Sequence, residues 1–238
     1  MLFRQLFDQE TGTYTYLIGD PVTQTAALVD PVLEQVDRDL TLIRELGLTL
    51  THCLETHVHA DHITGTGKLR ELTGCQGIVP DQAKAQCANR FIAHGETVQV
   101  GSIPITAIAT LGHTDSHMAY WVNGDRLLTG DALLIRGCGR TDFQSGDPGL
   151  MYDHVIGHLF TLPDDTLVYP GHDYKGRTVS TIGEEKRWNP RFIDPDTGSL
   201  RPREQFVALM SSLNLPQPKK IQEAVPANER CGKVVVAP

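Results

Sequence analysis

The stretch Thr56-His57-Val58-His59-Ala60-Asp61-His62 constrains this chain more than any other. Four metal-capable side chains fall within six positions, directly after the apolar-rich run Leu48 to Leu54. At the end of an extended strand, residues two apart point the same way, so His57 and His59 can face one ion. A helix starting at His62 would then aim Asp61 and His62 at a second position beside the first. Imidazole and carboxylate donors suit zinc, iron and related divalent ions.

The flanking sequence alternates strand and helix signals. Tyr14 to Gly19 and Thr25 to Asp30 read as a hairpin across Gly19-Asp20-Pro21. Leu33, Val36, Leu40, Ile43 and Leu46 recur at helical spacing and stop at Gly47. Thr49 to Glu55 is the strand that delivers the histidines, and Ile63 to Leu72 can be helical. Shorter strand and helix pieces follow through Val79, Ala83 to Asn89 and Thr97 to Val100, and strands are expected at Ile103 to Ala109, Met118 to Val122, Arg126 to Thr129 and Thr166 to Tyr169. Helices are expected at Pro148 to Leu162, Val179 to Arg187 and Pro202 to Leu213. The Pro-rich tail from Leu215 lacks periodicity and reads as a surface wrap.

Four of these strands end in a metal-capable residue: His57 with His59, then His113, Asp131 and His172. Read singly, His113 or Asp131 would be a cap or turn residue. Read jointly, they are the edge of a mixed sheet collecting ligands from distant sequence. The residues alone allow two ions, with His57, His59 and His113 at one, Asp61, His62 and His172 at the other, and Asp131 bridging. Such a pair would activate water.

Charge and cysteine usage narrow the class. Lys plus Arg is 21 against 29 Asp plus Glu, a net of −8, which disfavours nucleic acid and anionic membranes as partners. No apolar run approaches the roughly 20 residues of a bilayer span. The N-terminus carries acid early and is unlike a signal peptide. Five scattered cysteines without a CxxC pair argue against a disulfide framework and for a reducing compartment. The expectation is a soluble cytoplasmic protein of one domain over 1–238, with a helix and tail from about 199 packed on it.

The series HxHxDH, GHT, GDA and PGHD, in that order, resembles the metallo-β-lactamase superfamily. That resemblance implies an α/β fold, the αββα sandwich of two mixed sheets flanked by helices. Gly130 to Gln144, Tyr169 to Tyr174, Thr178 to Thr181, Asn189-Pro190-Arg191, Val225 to Asn228 and Arg230-Cys231-Gly232 are similar to the persulfide dioxygenase family. Asp115-Ser116-His117 departs from that family's pattern and adds an imidazole near the ligands.

The family resemblance implies one Fe(II) per subunit held by His57, His113 and Asp131, with open coordination positions, while His59, Asp61, His62 and His172 orient the ligands. It implies oxidation of glutathione persulfide with O2 and water to sulfite and glutathione, in sulfide oxidation. It also matches Arg140 and Tyr174 to glutathione contacts, and an Arg fork can grip a carboxylate twice. Arg136, Lys175 and Arg177 could add to a local basic patch, and Cys138 reads as a packed thiol. A homodimer is expected from family likeness, with a separate sulfurtransferase or quinone oxidoreductase supplying the persulfide. The competing enzyme is a glyoxalase II-type dinuclear hydrolase of acyl-glutathione thioesters. A rival of another class is a non-catalytic metal or glutathione binding module, which a site with a vacancy disfavours.

Overall fold

The computed structural model describes residues 1–233. The chain forms two mixed six-stranded sheets with helices, and its contacts divide into two compact units.

The first unit takes residues 1–92, 97–105 and the tail from Pro216. Its sheet runs in sequence order: β1 (Leu2–Phe7), β2 (Tyr14–Asp20), β3 (Thr25–Val29), β4 (Thr49–Leu54), β5 (Gln76–Pro80) and β6 (Arg90–Ile92). The hairpin β2–β3 is antiparallel, whereas β3, β4, β5 and β6 pair in parallel. The first two crossovers are helical, as is usual between parallel neighbours, whereas 81–89, between β5 and β6, form turns and irregular chain. After a 3₁₀ turn, α1 (Val36–Glu45) joins β3 to β4, and α2 (Thr66–Thr73) joins β4 to β5. Leu17, Ala26, Leu28, Ile43, Leu50 and Leu69 pack beneath them as one buried cluster.

Three features of this unit depart from the sequence reading. Strand β1 lies at the N-terminus, where alternation of apolar and polar residues is weak and its burial only partial. Helix α2 begins at Thr66, so His62 lies in irregular chain. The tail described as aperiodic contains a helix, Ile221–Asn228, with Pro226 inside it. Ala224 and Ala227, one turn apart, pack on Ile63 and Leu33, a contact too small to register as periodicity. The cysteines also differ from expectation. Cys87 and Cys231 form a disulfide across 144 residues, while Cys53, Cys75 and Cys138 are free.

The second sheet has the order β12-β11-β10-β9-β8-β7. Its strands are β7 (Thr97–Val100), β8 (Ile103–Ala109), β9 (Met118–Val122), β10 (Arg126–Gly130), β11 (Leu167–Pro170) and β12 (Ser180–Thr181). The second unit, 93–96 with 106–215, contains most of it. There α3 (Pro148–His154) runs on through a π-helical turn, Val155–Leu159, and α4 (Ile182–Trp188) and α5 (Arg203–Ser211) follow. The tail helix named above is thus α6. Phe192, stacked on Phe206 at 4.8 Å, centres a core with Met151, Val155, Leu127 and Val168. Among the described residues no helix is long and apolar enough to cross a membrane.

Candidate active site

In the first unit, β3 and β4 run parallel and deliver Asp30 and Thr56 to the same sheet edge. Asp30, at φ 51°, turns its carboxylate onto the histidine loop. It accepts from the Thr56 backbone N at 2.7 Å, from Thr56 Oγ1 at 2.8 Å and from His59 Nε2 at 3.1 Å. Glu55 reaches the same His59 nitrogen at 3.3 Å. Burial works against charge on His59, but these two carboxylates outweigh it and hold its pKa well above the usual imidazole range. His59 is therefore committed through Nε2 to two acids. His57, buried, touches Thr56 Oγ1 through Nδ1 at 2.9 Å, which makes Nε2 the nitrogen suited to a metal. Its ring lies 4.2 Å from that of His59.

Asp61 and His62 are paired with one another. His62 Nδ1 lies 2.9 Å from Asp61 Oδ2, which also accepts from Thr13 Oγ1 at 3.0 Å. The ligand atoms of His59, Asp61 and His62 fall within 4.8 Å of one another. The loop is closed from outside by Asn228 of α6. Its Nδ2 donates to His59 O and His62 O, at 2.9 and 2.8 Å, and its Oδ1 accepts from Thr64 N at 2.8 Å. Asn228 stands in the tail motif that carried the family resemblance, but sequence gave no reason for its placement against the histidines.

In the second unit, the ends of β8, β10 and β11 carry His113, Asp131 and His172. His113 Nε2 lies 3.5 Å from Asp131 Oδ2, and His172 Nε2 lies 3.6 Å from Asp131 Oδ1. His113 Nδ1 is 2.7 Å from Arg140 O, a carbonyl that can only accept. The ring proton therefore sits on Nδ1, and Nε2 carries the lone pair. Asp131 Oδ1 is buried and makes no hydrogen bond. Gly139 passes so close that a Cβ there would sit 2.4 Å from Asp131 O and 2.8 Å from His113 Nδ1. Only glycine lets this loop cover the pair.

His117 is a site residue that sequence left without a role. It is buried, accepts from Asp131 N through Nε2 at 3.0 Å, and has Nδ1 2.7 Å from Thr110 Oγ1. The acceptor role at Nε2 places its proton on Nδ1, so it donates to Thr110. His117 thereby fixes the backbone that aims the Asp131 carboxylate. Replacing it with alanine should weaken metal affinity about 10–100-fold, as loss of a ligand's supporting partner typically does. A metal titration of His117→Ala with affinity unchanged would remove that role.

The remaining candidates separate cleanly. Tyr174 is 74% exposed and stacks on His172, centroids 5.7 Å apart. The Arg140 fork closes on Asp142 with two contacts of 2.7 Å and lies over the Phe143 ring at 4.0 Å. Arg136 is held by Glu184, Glu185 and Ser180 and lies over Trp188, so it braces α4 and leaves the expected basic patch. Cys138 packs against Met210, sulfurs 3.6 Å apart, and burial pushes its thiol up to about 12. It stays a thiol, in keeping with a packing role.

The metallo-β-lactamase superfamily pattern matches residues 9–172. The mitochondrial persulfide dioxygenase ETHE1 of Mus musculus is 48% identical over 234 residues, spanning 98% of this chain and 89% of the mouse protein. The chain belongs to the persulfide dioxygenase family. A crystal structure of ETHE1 from Myxococcus xanthus superposes with TM-score 0.93 at 57% identity, covering 98% of this chain and all of that one. A hydroxyacylglutathione hydrolase of Bradyrhizobium is also similar, at 33% identity over 89% of this chain and 79% of its own. The persulfide dioxygenase relatives thus share more residues over more of the length than this hydrolase does.

Proposed function

We infer that this chain is a persulfide dioxygenase. Glutathione persulfide, O2 and water would give glutathione, sulfite and two protons. The observation that carries this reading is near-full-length similarity to persulfide dioxygenases with every metal-capable motif residue present.

His57 would join His113 and Asp131 in holding one Fe(II) per subunit. The donor set of two imidazoles and one carboxylate suits non-haem iron and leaves coordination positions open. The buried, unbonded Asp131 Oδ1 supports it, since an uncompensated carboxylate oxygen is costly and a cation would relieve that cost. So does the His113 tautomer, fixed by the Arg140 carbonyl. Iron, when bound, supplies the redox chemistry between O2 and the terminal sulfur. The chain's own contribution is to hold those donors through Thr56, His117 and the Arg140 carbonyl, and to orient the substrate. His59, Asp61, His62 and His172 serve the ligand loops.

For the substrate, Arg140 would exchange Asp142 for a glutathione carboxylate, and Tyr174 would cover the thiol carrier. Arg140→Ala should raise KM about tenfold or more while kcat moves little, because a carboxylate grip away from the sulfur is lost. An unchanged KM would exclude the grip. The persulfide would come from a separate sulfur-transferring or sulfide-oxidising enzyme, and the active form would be a homodimer.

The thioester hydrolase reading needs a second ion. The deciding experiment measures O2 uptake by Fe(II)-loaded protein given fresh glutathione persulfide, with sulfite counted at the end. One sulfite per O2, lost when zinc replaces iron, is expected. Thioester hydrolysis by zinc-loaded protein without O2 uptake would overturn the reading.

A further inference from the structure

The Cys87–Cys231 disulfide lies in the wall of an open cleft of about 410 Å³ in the first unit, lined also by Arg70, Glu71, Cys75 and Lys233. Cys231 is buried and Cys87 half-buried, which favours Cys87 as the cysteine open to attack from the cleft. Behind it, the Arg70 guanidinium lies 3.9 Å from Cys231 Sγ and also donates to Cys87 O. A thiolate released on Cys231 would form beside this fixed positive charge, which favours it as the leaving group. Glu71, the acid of the lining, faces Lys68 at 3.9 Å. Arg70 and Lys233 thus offer cationic partners to an acidic visitor.

The bond also restrains something specific. Cys231 O accepts from Gly67 N at 3.1 Å, and a Cβ at Gly67 would sit 2.2 Å from that oxygen. Three residues earlier, Asn228 satisfies His59 O, His62 O and Thr64 N. The disulfide therefore pins the end of α6, whose Asn228 closes the histidine loop. A single disulfide among otherwise free thiols fits a redox-responsive bond better than a framework.

We propose that Cys87–Cys231 is a reversible thiol-exchange site, at which a small carboxylate-bearing thiol attacks Cys87 and releases the tail from the histidine loop. In the first step the incoming thiolate bonds to Cys87 Sγ, the Cys87–Cys231 bond breaks, and Cys231 leaves as a thiolate that takes a proton from water. A second thiol attacks the mixed disulfide. The net change is two thiols oxidised to their disulfide while the protein disulfide becomes two thiols, and the reverse reseals it. The exchange chemistry does not rest on the iron reaction proposed above, although release of Asn228 loosens the histidine loop beside it.

The test uses the full iron-loaded chain, equilibrated anaerobically in glutathione buffers from fully oxidised to fully reduced. Iodoacetamide trapping and peptide mapping should find glutathione on Cys87 and alkylated Cys231 at intermediate ratios, with both alkylated at the reducing end. Amide exchange at Thr64 should be at least tenfold faster in the reduced protein. Arg70→Gln should slow opening at least tenfold without moving the end point. A bond that survives the reducing end, or glutathione on Cys231 or Cys75 instead of Cys87, overturns the exchange site. Cys87→Ser cannot form the bond and should show fast Thr64 exchange in every buffer; slow exchange there overturns the release of the tail.

Discussion

Replacing His113 with alanine is expected to leave a folded protein that no longer retains iron, with O2 uptake down on the order of 10³-fold or more. The reasoning separates a ligand from its supports. Loss of an outer partner such as His117 costs about 10–100-fold in affinity or activity, because the donor remains and is merely aimed less well. At His113 the donor itself goes, leaving His57 and Asp131 to hold the ion. A 10³-fold loss corresponds to about 4 kcal/mol. The fold should change little. His113 is only partly buried, and its Nδ1 contact with Arg140 O is one hydrogen bond, worth about 1 kcal/mol net. Metal analysis beside thermal melting checks both halves. A variant that melts normally and still carries iron one-to-one would remove His113 from the ligand set.

Much of this was legible because it is local. Short runs rich in apolar and β-favouring residues marked β2, β3 and β4, and the candidate ligands follow at strand ends, where period-two spacing gives the direction of His57 and His59. Cys138 likewise reads as a packed thiol and is one, 3.6 Å from Met210. What stayed hidden depends on pairs distant in sequence. His117 reads as a surface or hydrogen-bonding residue at a strand start, and its partner, the Asp131 backbone 14 residues on, is what the sequence does not show. Arg136, beside the metal motif in sequence, is drawn away by Glu184 and Glu185 on α4. Cys87 and Cys231 carry no spacing signal, since their 6.0 Å approach of Cα atoms follows from where the tail lands. Helix α6 hid for a related reason, as Pro226 and two alanines make a weak apolar face.

The second large effect is expected at Asn228, which chemistry alone would never have nominated. Its side chain, 5% exposed, serves two carbonyls and one N–H of the histidine loop. Asn228→Ala leaves those three groups without their side-chain partner, and a buried polar group left so costs about 1–3 kcal/mol. The three share one side chain and relax together, so their costs do not add fully, and about 3 kcal/mol is the expected loss. At roughly 2–4 °C per kcal/mol for a chain of this size, the melting temperature should fall by about 6–12 °C. Iron affinity should fall as well, since His59 and His62 flank the loop that follows His57. Aspartate is no rescue. It can still accept from Thr64 N, but it brings negative charge against the carbonyls of His59 and His62 and offers them no proton. Asn228→Asp should therefore be at least as damaging as alanine at neutral pH, and improve on acidification as the carboxyl regains a donor. Melting curves of both variants across pH decide the matter. An alanine variant within 2 °C of the parent, or an aspartate variant as stable as the parent at pH 7, would mean that the tail does not hold the loop.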